Sequence, residues 1–326
     1  MGNTTLPPLP STALQMATDA WSTSPEALTP LKAFENHIFR LPNGRGVLRL
    51  THVLHREEAQ LSSELDFVAF LGRRGASVAA PILSKAGHLV LACTDGWFAS
   101  AFALAPGHPP SKSLWGSCVF EPWGRCLALM HLHSRDYTPG PGIQTRGQWF
   151  EEPDHTQSAH FLPATDTSIL AIHKANLKEA KSAIETIGET ILIHTDLHQM
   201  NFHVDGDRVI AFDFDDCAYH TPMADLAIAY YHAARAPWIQ GANGLPDPDA
   251  CKALWDGLTK GYGSITKIPE TWFKAVAPLL RMRMSTLYIA CHRAGDPEND
   301  PTLAQKLVQT RAMLLEGQLS VPVPCG

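Results

Sequence analysis

No stretch of this chain approaches the ~18 consecutive apolar side chains that a membrane-crossing helix requires, so no spanning segment is expected. Blocks of like charge and basic stripes are missing as well: 26 Lys and Arg stand against 32 Asp and Glu, a net of −6. A surface so balanced offers little to nucleic acid or to an anionic membrane, and both are set aside as partners. Cysteine pairing signals are absent. The seven cysteines (Cys93, Cys118, Cys126, Cys217, Cys251, Cys291 and Cys325) are odd in number, scattered and never spaced C-x-x-C. They read as reduced thiols, most of them packing residues. The opening residues, MGNTTLPPLPST, hold neither a basic leader nor an apolar core, and Leu6 stands where an N-myristoylation site needs Ser or Thr. A cytoplasmic protein without internal repeats is the expectation.

What the chain does have is length and a chemically dense centre. Its 326 residues, 45% hydrophobic, can bury a large core and suffice for two lobes with a cleft between them. The centre is Ile191 to Asp216, ILIHTDLHQMNFHVDGDRVIAFDFDD. An apolar run, Ile191 to Ile193, leads into His194-Thr195-Asp196-Leu197-His198-Gln199-Met200-Asn201; a second strand-like run, Val209 to Phe212, follows an Asp-Gly turn and ends in Asp213-Phe214-Asp215-Asp216. Two adjacent strands closed by that turn would bring Asp196, Asn201 and Asp213 to one end of a hairpin. Metal-assisted phosphoryl transfer needs these residue types. Mg²⁺ takes hard oxygen ligands and keeps several waters, so one carboxylate and one amide oxygen, Asp213 and Asn201, suffice beside nucleotide phosphates. A further carboxylate, Asp196, would accept the proton of the attacking hydroxyl. Any one of these acids alone would more often be a solvated loop or a cap than a catalyst; five positions in register, beside two strand patterns, read as a kinase.

The pattern His194-x-Asp196-x-x-x-x-Asn201 followed by Asp213-Phe214-Asp215 resembles the catalytic and metal-binding loops of the aminoglycoside phosphotransferase and choline kinase families, homoserine kinase type II-like enzymes among them. The resemblance spans roughly residues 28 to 300. It implies an α+β, bilobal protein-kinase-like fold: a nucleotide-binding lobe, residues 1–103, with an antiparallel sheet and one key helix, and a mainly helical catalytic and acceptor-binding lobe, residues 104–326. It implies ATP and Mg²⁺ as cofactors, with a small-molecule hydroxyl as acceptor. Arg49 on the third strand occupies the place of the family's phosphate-gripping base, usually a Lys, and Glu64 that of its helix partner, with Glu57 and Glu58 competing. The G-x-G-x-x-G loop is missing, which leaves Phe34-Glu35-Asn36 as the loop over the phosphates. Backbone groups from Phe102 to Leu104, ahead of Ala105-Pro106-Gly107, are the candidate adenine contacts. Asp225, in Asp225-Leu226-Ala227, is placed to cap a helix and brace the catalytic loop. His198, Asp215 and Asp216 are secondary.

Several features keep other readings open. His131-Leu132-His133 invites a zinc hydrolase built on His131, His133, His194 and His198, but helical residues two apart do not face one ion. Residues 137–167 form a long, weakly periodic segment that could border the acceptor pocket. Arg281, Arg283 and His292 lie on a predicted helix from Thr271 to Cys291 and could face an anionic acceptor, or only solvent. The acceptor stays open among amino alcohols, homoserine-like molecules, aminoglycosides, sugars and protein Ser or Thr. A non-catalytic pseudokinase is the remaining alternative, and the chain is expected to be a monomer or homodimer.

Overall fold

Between Leu28 and Phe102 short β-prone runs alternate with turn residues. In the computed structural model, which describes residues 7–31, 35–241 and 244–324, these runs form one antiparallel sheet. A short helix, α1 (Ser11–Ala20), precedes β1 (Thr29–Leu31), β2 (His37–Arg40) and β3 (Val47–His52). Helix α2 (Glu58–Arg73) follows, then β4 (Pro81–Ile82), β5 (Leu91–Ala92) and β6 (Trp97–Phe102). The sheet runs β1-β2-β3-β6-β4, with β5 also paired to β6. Ala13, Ala17 and Trp21 of the α1 segment pack with Leu48, Leu50, Trp97 and Ala99 into a core of their own. In α2, Leu61, Leu65, Val68 and Leu71 recur at helical spacing and are buried, and Gln60 accepts from the Glu57 N–H to close its first turn. The strand expected over His88–Ala92 is confined to Leu91–Ala92, because Gly87, at φ 82°, closes a turn just ahead of it.

From Ser117 the chain is mainly helical: α3 (Ser117–Ser134), α4 (Pro153–Thr156), α5 (Ser158–Phe161), α6 (Thr167–Ile187), α7 (Pro222–Ala234), α8 (Pro248–Gly263), α9 (Glu270–Phe273), α10 (Val276–Ala294) and α11 (Pro301–Leu315). Gly188, at φ 70°, terminates α6 in the left-handed conformation that favours glycine. Helix α3 starts at Ser117 rather than Trp123 and carries Pro122 inside it. The helix expected from Thr271 to Cys291 is interrupted between Phe273 and Val276, leaving α9 and α10. Helices α3 and α8 approach closely on small residues: a Cβ on Gly124 would lie 2.0 Å from the Leu258 carbonyl oxygen, and one on Gly261 the same distance from that of Glu121.

The central hairpin differs from the one expected. The Asp205-Gly206 turn joins β8 (Phe202–Asp205) to β9 (Arg208–Ala211), whereas β7 (Ile191–Ile193) pairs with β10 (Ala218–His220). Ile191 to Ile193 is buried on both faces, so it needs cover on either side; Phe-His-Val-Asp alternates and suits a half-covered hairpin. The two catalytic loops therefore lie between two different strand pairs.

Gly124→Ala would drive a methyl group into the Leu258 carbonyl. Overpacking of this kind costs about 1–3 kcal/mol, and urea unfolding of the variant should show a loss in that range with an unaltered denaturant slope; an unchanged midpoint would mean the helices part freely.

Candidate active site

The loop after β7 is pinned from beneath. Asp225, fully buried in the first turn of α7, turns its carboxylate back onto the loop and accepts from the backbone N–H of His194 at 3.1 Å and of Thr195 at 2.7 Å. It does not cap its own helix, whose N-cap position is Thr221. A third donor is His131, whose Nε2 lies 3.0 Å from Asp225 while its Nδ1 lies 3.0 Å from the Tyr262 hydroxyl. Burial pushes the Asp225 carboxyl up, but His131 and the Thr195 N–H outweigh it and hold the pKa below the usual carboxylate value. Both nitrogens of His131 are thus committed to protein partners. Among the described residues, the four histidines of the zinc alternative form no group that could hold an ion.

Above this anchor the backbone is strained. Thr195 has φ 63° and Asp213 φ 67°, a region β-branched and acidic residues seldom adopt. The Thr195 hydroxyl donates to the Asp216 carbonyl at 2.6 Å, and the Phe212 N–H to the Asn201 carbonyl at 3.0 Å, which tie the two loops together. His194 Nε2 faces the Phe212 carbonyl and its Nδ1 accepts from the Asp196 N–H, so one neutral tautomer satisfies both.

These loops bring Asp196 and Asn201 into contact. The Asn201 amide donates to the Asp196 backbone oxygen at 3.0 Å and approaches its Oδ2 at 3.3 Å; His198 Nε2 is 3.5 Å from the same oxygen. Asp196 Oδ1 is bound by Arg283, which also contacts His232. Asp213 is different. Its side chain reaches solvent, although neighbouring protein atoms crowd it, and it makes no side-chain hydrogen bond or ion pair among the described residues. Burial, then the neighbouring Asp215 charge, pushes its carboxyl up to about 7. A carboxylate without a partner suits a hard divalent cation, and the backbone bond from Phe212 to Asn201 ties the two loops together, so Asn201 and Asp213 could hold one.

The sheet supplies the basic side. Arg49 makes a two-pronged pair with Glu64, at 2.9 and 2.7 Å, both side chains buried. Burial works against the guanidinium charge, and Glu64 outweighs it. Arg49 lies 4.8 Å over the Phe102 ring and leaves its Nε without a partner among the described residues. Glu57 and Glu58 do not share this contact. Near the expected adenine site, the Ala103 N–H is already spent on the Ala80 carbonyl, and Leu104 is half-buried. Asn36 accepts from the Thr51 hydroxyl at 2.6 Å; Phe34 of the proposed phosphate loop lies outside the described residues.

Asp215 faces neither Asn201 nor Asp196. His55 Nε2 bonds its Oδ2 at 2.6 Å and Arg56 Nε its Oδ1 at 3.3 Å, while Arg56 also grips Asp216 at 2.6 Å. Burial pushes the Asp215 carboxyl up, but Arg56 and His55 override it and hold it well below the carboxylate range. Glu35, His55 and Asp215 lie close enough to hold an ion, but Arg56 and Arg293 already balance the acids. Sequence reading did not find His55, Arg56 or Arg146, which donates to the Asp215 and Cys217 carbonyls. No motif marks them; their role arises from long-range packing.

Asp196 opens into a cavity of about 1180 Å³ between the sheet and the helices. Its wall mixes Phe39, Ile228 and Met282 with charged Asp216, Arg283 and Arg293. Of the three basic residues expected on the long helix only Arg283 reaches it; Arg281 pairs with Glu179, and the His292 ring packs on Tyr288. Residues 137–167 contribute Trp149 and the short helices α4 and α5, so this segment does border the cavity.

Residues 28–254 match the phosphotransferase enzyme family. The chain belongs to that family. It is 26% identical over 271 residues to amicoumacin kinase of Bacillus subtilis, covering 80% of this chain and 79% of that one. It is 30% identical over 241 residues to homoserine kinase of Neisseria meningitidis, covering 73% of each. A solved amicoumacin kinase in complex with AMP-PNP, Ca²⁺ and Ami superposes with a TM-score of 0.83 at 24% identity, covering 95% of this chain and 94% of that one, and shares its fold. The protein is thus a member of a small-molecule kinase family with the protein-kinase-like fold.

Two histidines of the cavity wall, His155 and His220, and His173 stacked behind His155 form an acid-sensitive element. Burial pushes His155 and His220 down to about 3 and His173 down to about 4. The unfolded chain takes up these protons near pH 6.5 while the folded protein does not, so stability is complete above that pH and falls as acid approaches the folded values. Denaturant titrations between pH 7 and 5 should show a loss on the order of 1 kcal/mol per histidine per pH unit; replacing His173 with Asn should reduce the slope.

Proposed function

We propose that this phosphotransferase moves the γ-phosphoryl group of ATP to the hydroxyl of a small, amine-bearing molecule. The observation that carries the reading is the placement of Asp196: it touches Asn201, lies one loop from the uncompensated Asp213, and opens into the cavity. The acceptor oxygen attacks the γ-phosphorus, the bond to the β-phosphate oxygen breaks, and the hydroxyl proton passes to Asp196. Arg49, fixed by Glu64, steadies the phosphates, with Asn36 near their cover and Phe102 to Leu104 beside the adenine. Asn201 and Asp213 would hold a divalent cation such as Mg²⁺, which when bound would supply positive charge to the transferring phosphoryl group. His198, Asp215 and Asp225 shape the loops. The chain divides into a nucleotide lobe, 1–103, and a catalytic lobe, 104–326. No described helix is long and apolar enough to cross a membrane, and the use of ATP places the reaction in the cytoplasm.

The amine preference rests on an excess of acids in the cavity wall: Glu35, Glu152, Asp154, Asp196 and Asp216 outnumber Arg56, Arg283 and Arg293, which pair with them. The volume exceeds the ordinary span of ligand pockets, about 300–1,000 Å³, and leaves room for an acceptor larger than homoserine. The relatives named for amicoumacin and homoserine bracket that size range.

With ATP, Mg²⁺ and a panel of amicoumacin, homoserine and amino alcohols, Asp196→Ala should lower transfer by about 10³-fold while ATP affinity stays within a factor of two. Chelation of the divalent ion should silence both proteins. Wild-type turnover in the variant would remove Asp196 from the chemistry, and ATP binding without transfer to any alcohol would favour the pseudokinase reading.

A further inference from the structure

The deep wall of the acceptor cavity contains a hydrogen-bond donor that the phosphoryl-transfer machinery does not use. His220 ends β10 opposite Ile191 and is 3% exposed, yet it lines the same cavity as Asp196. Its Nδ1 accepts from the backbone N–H of Thr221 at 2.8 Å. Burial keeps the ring neutral, so its one proton sits on Nε2. That Nε2–H is buried and has no partner among the described residues. Buried donors are almost always paired, with protein, water or ligand, so this one is open to a water or to a ligand atom entering from the cavity.

The ring is held for such a partner. Trp149 stacks on His220 with centroids 4.8 Å apart and planes 15° apart, which fixes the direction of the N–H. On the edge of the same indole, 5.6 Å away, stands His155, which also lines the cavity and whose buried Nδ1 has no partner among the described residues. Ala218 and Ala224 complete a wall with no side-chain charge of its own. An N–H donor cannot receive an ammonium proton. The atom it selects is an oxygen.

We propose that His220, backed by Trp149 and His155, is a specificity subsite whose Nε2–H binds a carbonyl or carboxylate oxygen carried by the acceptor alcohol away from its reacting hydroxyl. The assignment rests on the acceptor reading of the cavity. It divides recognition: the amine goes to the carboxylates, the hydroxyl to Asp196, and the second oxygen to His220. An alcohol lacking that oxygen leaves the donor unpaired and is discriminated against.

Homoserine, homoserine amide and 3-aminopropan-1-ol test this, since they share hydroxyl and amine and differ in the second oxygen group. The full-length protein with Mg²⁺ and ATP should prefer homoserine or its amide over 3-aminopropan-1-ol by tenfold or more in kcat/KM. Preference for homoserine assigns a carboxylate, and preference for the amide an uncharged carbonyl. His220→Phe should raise KM for the preferred acceptor at least tenfold, leave KM for ATP unchanged and erase the preference; His220→Gln, which keeps an N–H donor, should recover part of it. Equal use of all three by the wild type, or a preference that survives in His220→Phe, overturns the subsite alone. Transfer neither to these nor to amicoumacin removes the acceptor reading beneath it; if amicoumacin alone is used, an unchanged KM for it in His220→Phe overturns the subsite. If His220→Phe fails to fold, the wild-type ratio decides.

Discussion

The buried Asp225 carboxylate is the constraint on which the site depends. It accepts from the His194 and Thr195 backbone and from His131, three bonds from two distant parts of the chain. Thr195 sits in a backbone conformation that costs about 1–3 kcal/mol, and a charge-assisted hydrogen bond contributes about 1.5–3 kcal/mol. The two terms are of the same size, so the Asp225 contacts can hold a turn that the loop would not keep by itself. That turn sets the direction of Asp196, one residue on. Helix α7 is thus both a core element and the bed of the loop.

A second layer couples the sheet to the loops. Arg49 and Glu64 are paired out of water, where removing either partner would leave a buried charge, while Arg56 and His55 reach across to Asp216 and Asp215. Backbone bonds run in parallel: the Ala79 N–H reaches the Ala211 carbonyl at 2.8 Å, and the Ala211 N–H returns to Ser77 at 2.9 Å. The sheet and the two loops therefore meet through both charge and main chain. Asp213, by contrast, makes no ion pair among the described residues.

The family and the chemistry of the site are stated by short-range pattern, whereas the acceptor is chosen by long-range packing. Arg283, Met282, Trp149 and His220 come from α10, the segment before α4, and the end of β10, and they share a wall because α7 packs on β7 while α10 packs on α7 and α4. Members of such a family can keep one loop set and exchange acceptors by altering these elements.

How much could be read in advance follows the same division. Asp196, Asn201 and Asp213 stand within eighteen residues of one another, and their spacing carries the chemistry without help from the rest of the chain. Strands β2, β3 and β6, the buried stripe of α2 and the Gly188 stop of α6 were legible because period and turn residues act locally. The pairing of β7 with β10, the break between α9 and α10, the turn of Asp225 away from its own helix end, and the His55–Arg56 bridge were not. Each depends on a partner many residues distant, and no local spacing records which of several apolar strands or charged side chains will meet. The sequence by itself determined which groups could do the chemistry, because those groups are neighbours in the chain. Only the tertiary structure decided their orientation, their charge balance and the shape of the cavity before them, because those properties belong to contacts between segments that the chain keeps far apart.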